Sequence, residues 1–294
     1  MGRTLKKSVT VNQLATELGL EVYGDSSTLI HRVESADAGS SDSLCFAKNV
    51  IWARKVNPKA VLLVSKEYFV DRDGPTLLSC EPRLDFARAL SVLERLGGFV
   101  WSDAEACIHP TASIGHNVVL GRGVRIGAGT VIRHNVVIGD EVIIGERCIV
   151  KSCAVIGEDG FGFERNRNGK AVRLPHIGKV RIGNDVEVGS LTTICRGTLG
   201  NTVLQNGCKI DDHVHISHNV DVGEDAFVIA CAEVSGGVKI GARAWISPNA
   251  SVLNQVTIGA DALVGLGAVV VKSVPSNSTV VGNPAKSLIS SNKV

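Results

Sequence analysis

A period of six residues, a scarcity of aromatic side chains and an abundance of glycine predict a mainly β protein. It is a parallel β-helix of hexapeptide repeats behind a small N-terminal α/β domain. Aromatic residues make up 4% of the 294-residue chain, while glycine occurs 32 times and hydrophobic residues reach 44%. A core of that size without large rings must be built from small aliphatic side chains.

The period is explicit. Every sixth position from Ile108 to Ile156, from Ile182 to Ile194 and from Leu204 to Val270 is Ile, Val or Leu, 24 positions in all. Four residues after each stands a small side chain, as at Ala112, Val118, Val124, Thr130, Cys148, Thr198, Cys208 and Ala226. Two inward residues per six, one aliphatic and one small, describe a narrow tube whose coil takes three hexads. Twenty-four hexads make eight coils. At about 4.8 Å per coil the tube is roughly 38 Å long. A β-sandwich would show alternation at period two without a fixed hexad. Glycine often follows the aliphatic residue, as at Gly115, Gly121, Gly127, Gly139 and Gly145. This suggests corners in which a positive φ is tolerated only without a Cβ.

Residues 1–105 lack the hexad. Thr10-Val11-Asn12-Gln13 fits a capping box, with Leu14 and Leu18 at helix spacing and Gly19 as a stop. A second helix is expected from Arg83 to Leu96, with Leu84, Ala87, Leu90 and Leu93 on one side and Gly97-Gly98 after it. Between them, Ala60–Val64 reads as a buried strand. The sequence thus divides into 1–105 (α/β), 106–275 (β-helix, with an inserted loop at 157–176) and a tail at 276–294.

Several classes are disfavoured. The net charge of +2 has no clustered basic excess of the kind that nucleic-acid binding needs. No run of eighteen apolar residues occurs, so no membrane span is expected. Met1–Thr10 is basic but lacks an apolar stretch, which argues against a secretory signal. The eight cysteines form no C-x-x-C pair and read as reduced thiols of a cytoplasmic protein.

A repeat protein is most informative where it departs from its own pattern. The insertion carries Asp159-Gly160-Phe161-Gly162-Phe163, a candidate apolar wall, alongside the charged run Glu164–Asn168 of a solvated excursion. Corner glycines are lost at Cys195, Gln205, Asp211, Ser217, Ile229 and Ser235. Polar residues gather there instead: Asp211, Asp212, His213, His215, Ser217, His218 and Asn219. A metal site from the three histidines is disfavoured, because 213 and 215 would share a face while a corner separates them from 218. Residues eighteen apart stack, so His218 lies under Gly236 and then Asn254, and Asn219 under Gly237 and then Gln255. Polar ends with paired glycines between them describe a notch roughly 10 Å long. An imidazole beside such a notch is a candidate general base, since it takes up a proton near neutral pH. Asp211 or Asp212 is a candidate for orienting it, and equally a solvated corner residue.

These segments resemble the UDP-3-O-(3-hydroxyacyl)glucosamine N-acyltransferases of lipid A synthesis. The resemblance is carried by Phe46-x-x-Asn49, Gly157–Phe163, Pro175–Gly178, Thr192–Gly197 and Lys209–Asp211 leading to Ile216–Asn219. It runs from near the start to about residue 240. It implies a left-handed β-helix, a homotrimer and active sites between neighbouring subunits. It implies that His218 takes a proton from a sugar amine attacking a thioester, with Asp211 matching the family's aspartate. It implies that the N-terminal domain holds uracil, with Phe46 stacking, Asn49 hydrogen bonding and Trp52 standing where a Tyr is usual. No bound cofactor or metal is implied. The acyl donor arrives on the phosphopantetheine arm of acyl carrier protein or coenzyme A. Cys195 replaces a family Asp, and Gln255 stands where the family has a second functional His. In place of the family's C-terminal helices, Val281–Lys286 resembles the ending of coenzyme-A-dependent sugar acetyltransferases. A short-chain acyl transfer to another nucleotide-linked amino sugar is therefore the alternative, and a non-catalytic spacer the third reading.

Overall fold

The computed structural model describes residues 2–287. Its described residues form two units: 2–101 with 161–178 and 198–200, and 102–160 with 179–197 and 201–287.

The first unit is built on a six-stranded sheet in the order β1-β3-β4-β5-β6-β2. The strands are β1 (Gly2–Thr10), β2 (Glu21–Tyr23), β3 (Leu29–Glu34), β4 (Ser43–Phe46), β5 (Val61–Ser65) and β6 (Thr76–Ser79). The central four run parallel and the two edges antiparallel. Helix α1 (Val11–Leu18) starts at the expected capping box, and Gly19 ends it at φ 67°. Helix α2 (Val50–Ala53) is a single turn. Helix α3 (Pro82–Leu96) gains one residue over expectation, because Pro82 is tolerated at the first helical position. Leu84, Ala87, Leu90 and Leu93 are buried as the spacing requires. Side chains alternate across β4 and β5. Leu44, Val61 and Leu63 join the cluster with α1 and α3, while Cys45, Leu62 and Val64 face a second cluster with Ala53 and Val56. The insertion does not stand alone as a loop. Phe163–Arg165 and Ala171–Arg173 pair as an antiparallel hairpin that belongs to this unit.

The second unit is the β-helix. Among the described residues, short strands, parallel except for the last of the second face, stack into three faces of eight, ten and eight strands. Face A begins at Cys107–Ile108, face B at Ser113–Ile114 and face C at Val119–Leu120. The aliphatic residue of each hexad points inward, and from Ile126 to Val270 these side chains are essentially buried. Each contributes about 1.5–3 kcal/mol relative to exposure. Ile108 remains 39% exposed, since the first coil has a neighbour on one side only. Face B continues into Thr279–Val281 and Lys286–Ser287, so the residues expected as a tail extend the sheet.

Two local expectations are corrected. Positive φ falls three residues after the aliphatic position, not one, as at Asn117, Gly123, Gly129, Asn135, Arg147 and His213. The glycine that directly follows is needed for another reason, the close approach of the next coil. A Cβ on Gly115 would lie 2.7 Å from the Arg133 carbonyl carbon, and one on Gly127 2.6 Å from that of Gly145. Thr198 is not on the inward track. The coil is interrupted after Ile194, and 198–200 group with the first unit.

Candidate active site

The corner between faces C and A, where the polypeptide leaves His215–Ile216, holds the stacked column that the sequence predicts. The pairing His215↔Glu233 fixes the register and sets Gly236 one coil above His218. A Cβ built on Gly236 would sit 2.6 Å from Cε1, 2.7 Å from Nε2 and 3.2 Å from Nδ1 of His218. The imidazole therefore occupies the volume that any other residue at 236 would fill. His218 is half-buried, whereas Ile216 and Val220 on either side of it are fully buried in the core. Its Nδ1 lies 3.1 Å from Asn219 Oδ1. Asn219 holds φ 60°, and Gly237 above it holds φ 72°. Gln255, at φ 63°, lies over Gly237, with its Cγ 3.5 Å from where a Cβ would be. The backbone joins the three coils: Gly237 N–H donates to His218 O at 2.9 Å, and Gln255 N–H to Gly236 O at 3.0 Å.

Elsewhere in the β-helix, a side chain of the next coil often caps the second corner N–H. Asp140 Oδ1 accepts from Arg122 N at 2.8 Å, Asn184 Oδ1 from Glu146 N at 2.8 Å, and Asp212 Oδ1 from Ser190 N at 2.7 Å. Above His218 the capping position is Gly236, which has no side chain to offer. The place that a capping side chain would take elsewhere is held here by the His218 ring.

Asp211 does not orient His218 within this chain. It follows Lys209–Ile210 on face B, so it stands at the B–C corner, one side of the triangle away from the C–A corner. Its Oδ2 accepts from Ala230 N at 3.2 Å, the same kind of corner cap. The three histidines of this run also stand apart. His213 occupies the B–C corner at φ 60°, not a strand as expected, and His215 Nδ1 lies 2.7 Å from Thr193 Oγ1 on face C.

In the first unit, Phe46 ends β4 and stacks on Phe86 of α3, with centroids 5.3 Å apart. Asn49 is the N-cap of α2, its Oδ1 accepting from Trp52 N at 3.0 Å. Trp52 packs against the second cluster, with Lys55 Nζ 4.4 Å from its ring centre. Phe46 and Trp52 thus pack against different core clusters of the unit. Phe161 is 87% exposed and Phe163 touches it at 5.0 Å, with the Arg173 guanidinium 4.9 Å from the Phe163 ring.

Cys195 is buried against the insertion's root. Burial, with the Asp159 and Glu158 carboxylates nearby, pushes its thiol up to about 11. Beside it Arg196 is buried, its Nε donating to Gly157 O at 2.7 Å with Asp159 Oδ1 at 3.9 Å. Sequence reasoning missed Arg196 and Thr202. The signal for Thr202 was available, because Ile194 to Leu204 spans ten residues where the repeat allows six.

The six-repeat bacterial transferase hexapeptide family matches residues 104–134 and 123–158. A UDP-3-O-acylglucosamine N-acyltransferase from Coxiella burnetii (strain RSA 493 / Nine Mile phase I) is 37% identical over 268 residues, 80% of this chain and 76% of its own. One from Cupriavidus pinatubonensis is 37% identical over 269 residues, 77% and 73% of the two chains. Among solved structures, a UDP-N-acetylglucosamine O-acyltransferase from Moraxella catarrhalis aligns with a TM-score of 0.58 at 29% identity, over 64% of this chain and 71% of that one. A hexapeptide β-helix with an imidazole beside a glycine column, at that identity and coverage, places the chain in the UDP-3-O-acylglucosamine N-acyltransferase family, an acyltransferase by chemistry.

Proposed function

We propose that the protein transfers an acyl group from a phosphopantetheine thioester to the amine of a UDP-linked 3-O-acylglucosamine, in lipid A synthesis. The observation that carries this reading is the His218 ring lying directly against Gly236. His218 removes the proton as the amine nitrogen attacks the thioester carbon. A C–N bond forms, the C–S bond breaks, and the thiolate leaves with the proton that His218 releases. The negative charge on the carbonyl oxygen during attack needs a fixed donor. The backbone N–H of Gly236 is the candidate, because it stands at the same corner as the His218 ring and carries no side chain of its own. Asn219 and Gln255 bound the notch, and Asp211 serves as a corner cap in place of a catalytic partner.

The uridine is assigned to the first unit. Phe46 and Trp52 offer aromatic faces, and Asn49 retains its amide donor after its oxygen caps α2. Phe161 and Phe163 are assigned to apolar contact with an acyl chain, on the strength of Phe161's exposure. The reading requires no bound cofactor. It includes a homotrimer, for which light scattering would give three times the 30.9 kDa protomer. No helix among the described residues is long and apolar enough to cross a membrane, in keeping with a cytoplasmic site for the reaction.

Replacing His218 with Ala should lower turnover about 10²–10⁴-fold without unfolding the protein. Full turnover by purified His218→Ala would refute the assignment. A donor panel separates the acyl carriers: turnover only with short acyl coenzyme A would favour the acetyltransferase-like alternative.

A further inference from the structure

The coil ladder changes character at the catalytic corner. At most other corners, the residue with positive φ donates its N–H to the carbonyl of the second corner residue one coil below, Gly129 in the first coils being another exception with its N–H on Thr111 Oγ1 at 3.0 Å. Examples are Glu141 to Arg122 at 2.8 Å, Gly237 to His218 at 2.9 Å and Gln255 to Gly236 at 3.0 Å. By the register Thr193↔His215, the equivalent acceptor for Asn219 is the Arg196 carbonyl. The coil is interrupted just there, and Asn219 N–H instead donates to Thr202 Oγ1 at 2.9 Å. Thr202 is fully buried in the four-residue strand Asn201–Leu204, which pairs with Lys179–Ile182. Its hydroxyl is therefore held by packing on all sides.

We propose that Thr202 and Asn219 form a positioning relay that sets the tautomer and aim of His218. Thr202 holds the left-handed backbone of Asn219, and the Asn219 side-chain oxygen accepts Nδ1–H from the ring. This leaves the Nε2 lone pair as the base, on the edge of the ring that faces the Gly236 column. A free imidazole in water prefers the opposite tautomer, with the proton on Nε2, so an acceptor at Nδ1 has a definite task. Asn219 is thereby a positioning residue for the ring as well as a boundary of the notch. Its preference for φ near 60° is also met, since Asn tolerates that region better than most side chains. The proposal rests on His218 being the base, but the tautomer is a property of the unliganded protein.

The test uses the full-length protein labelled with ¹⁵N-histidine, in wild type and in Thr202→Val, Thr202→Ser, Asn219→Ala and His218→Ala. The His218→Ala spectrum assigns the resonances. Wild type should show His218 protonated at Nδ1 in its neutral form, and Thr202→Val and Asn219→Ala should shift it toward Nε2–H. In turnover, each of these two variants should lose roughly 10–100-fold in kcat, the scale of a misaimed catalytic group. For Thr202→Val, whose side chain is fully buried, KM should stay within about 2-fold, since no substrate contact is removed. Thr202→Ser restores the hydroxyl and should recover both the tautomer and kcat. A wild-type His218 protonated at Nε2, or an unchanged tautomer in both variants, overturns the proposal. So does a kcat loss that serine at 202 fails to rescue. Intact turnover by His218→Ala with shifted tautomers would instead refute the base assignment and leave the relay standing.

Discussion

Gly236→Ala is a single-atom test of the active-site reading. The φ of Gly236 lies outside the left-handed region, so alanine costs little in backbone strain there. The added Cβ would lie 2.6 Å from His218 Cε1 and 2.7 Å from Nε2. Non-bonded carbons settle at about 3.5–4.0 Å, so the ring must retreat by about 1 Å. A misplacement of that size costs about 10²-fold in rate, roughly 2.7 kcal/mol of barrier. The neighbouring glycine supplies the control. A Cβ on Gly237 meets only Gln255 Cγ, at 3.5 Å, but the position holds φ 72°. Gly237→Ala should therefore lower stability by about 1 kcal/mol while leaving the imidazole in place. The assay is thiol release from the acyl donor, followed beside thermal unfolding. The two variants should dissociate, one losing rate and the other stability. Gly236→Ala with wild-type turnover would show that the ring's position against the column is irrelevant to catalysis.

Further outcomes follow from other parts of the β-helix. Thr130 is fully buried, its Oγ1 donating to Gly145 O at 2.8 Å and accepting from Cys148 N at 3.0 Å. Thr130→Val leaves both backbone groups unpaired and should cost about 1–3 kcal/mol in denaturant unfolding, with no change in KM. Asp211→Asn keeps an oxygen for Ala230 N–H, so the acidic limb of the rate profile should stay where it is; a displaced limb would restore Asp211 as a partner of the base. Burial raises the thiols of Cys195 to about 11 and Cys208 to about 12, so iodoacetamide at pH 8 should label exposed Cys80, Cys107 and Cys231 first. The same shifts make the folded state bind more protons than the unfolded one above the ordinary thiol value of 9.0. Unfolding free energy should therefore fall as pH rises from about 9 toward 11, and a flat profile in that window would contradict the burial of these thiols.

How much of this was legible beforehand differs by residue. The β-helix could be read because each hexad reports its own burial: one aliphatic and one small side chain must point into a tube too narrow for anything else. The eighteen-residue stacking of His218 on Gly236 followed from the same periodicity. The capping box at Thr10 and the stop at Gly19 are local signals that need no distant partner. The two readings of Asp211 could not be separated beforehand, because seven residues part it from His218 in sequence, while a corner and a whole strand part them in space. The glycines after the aliphatic residues were rightly singled out, but for the wrong cause. Their requirement comes from the coil above, not from their own φ.

The sequence by itself determined the tube, its eight coils and the column in which His218 stands, because a one-dimensional repeat turns spacing along the chain directly into neighbours in space. Only the tertiary structure decided that 161–178 fold as a hairpin within the first unit, that Phe46 and Trp52 pack on different core clusters, and that Thr202 replaces a missing carbonyl beneath Asn219. Each of those arises where the period fails. Beyond such a break, the distance between two residues is set by how the chain packs and no longer by how far apart they lie along it.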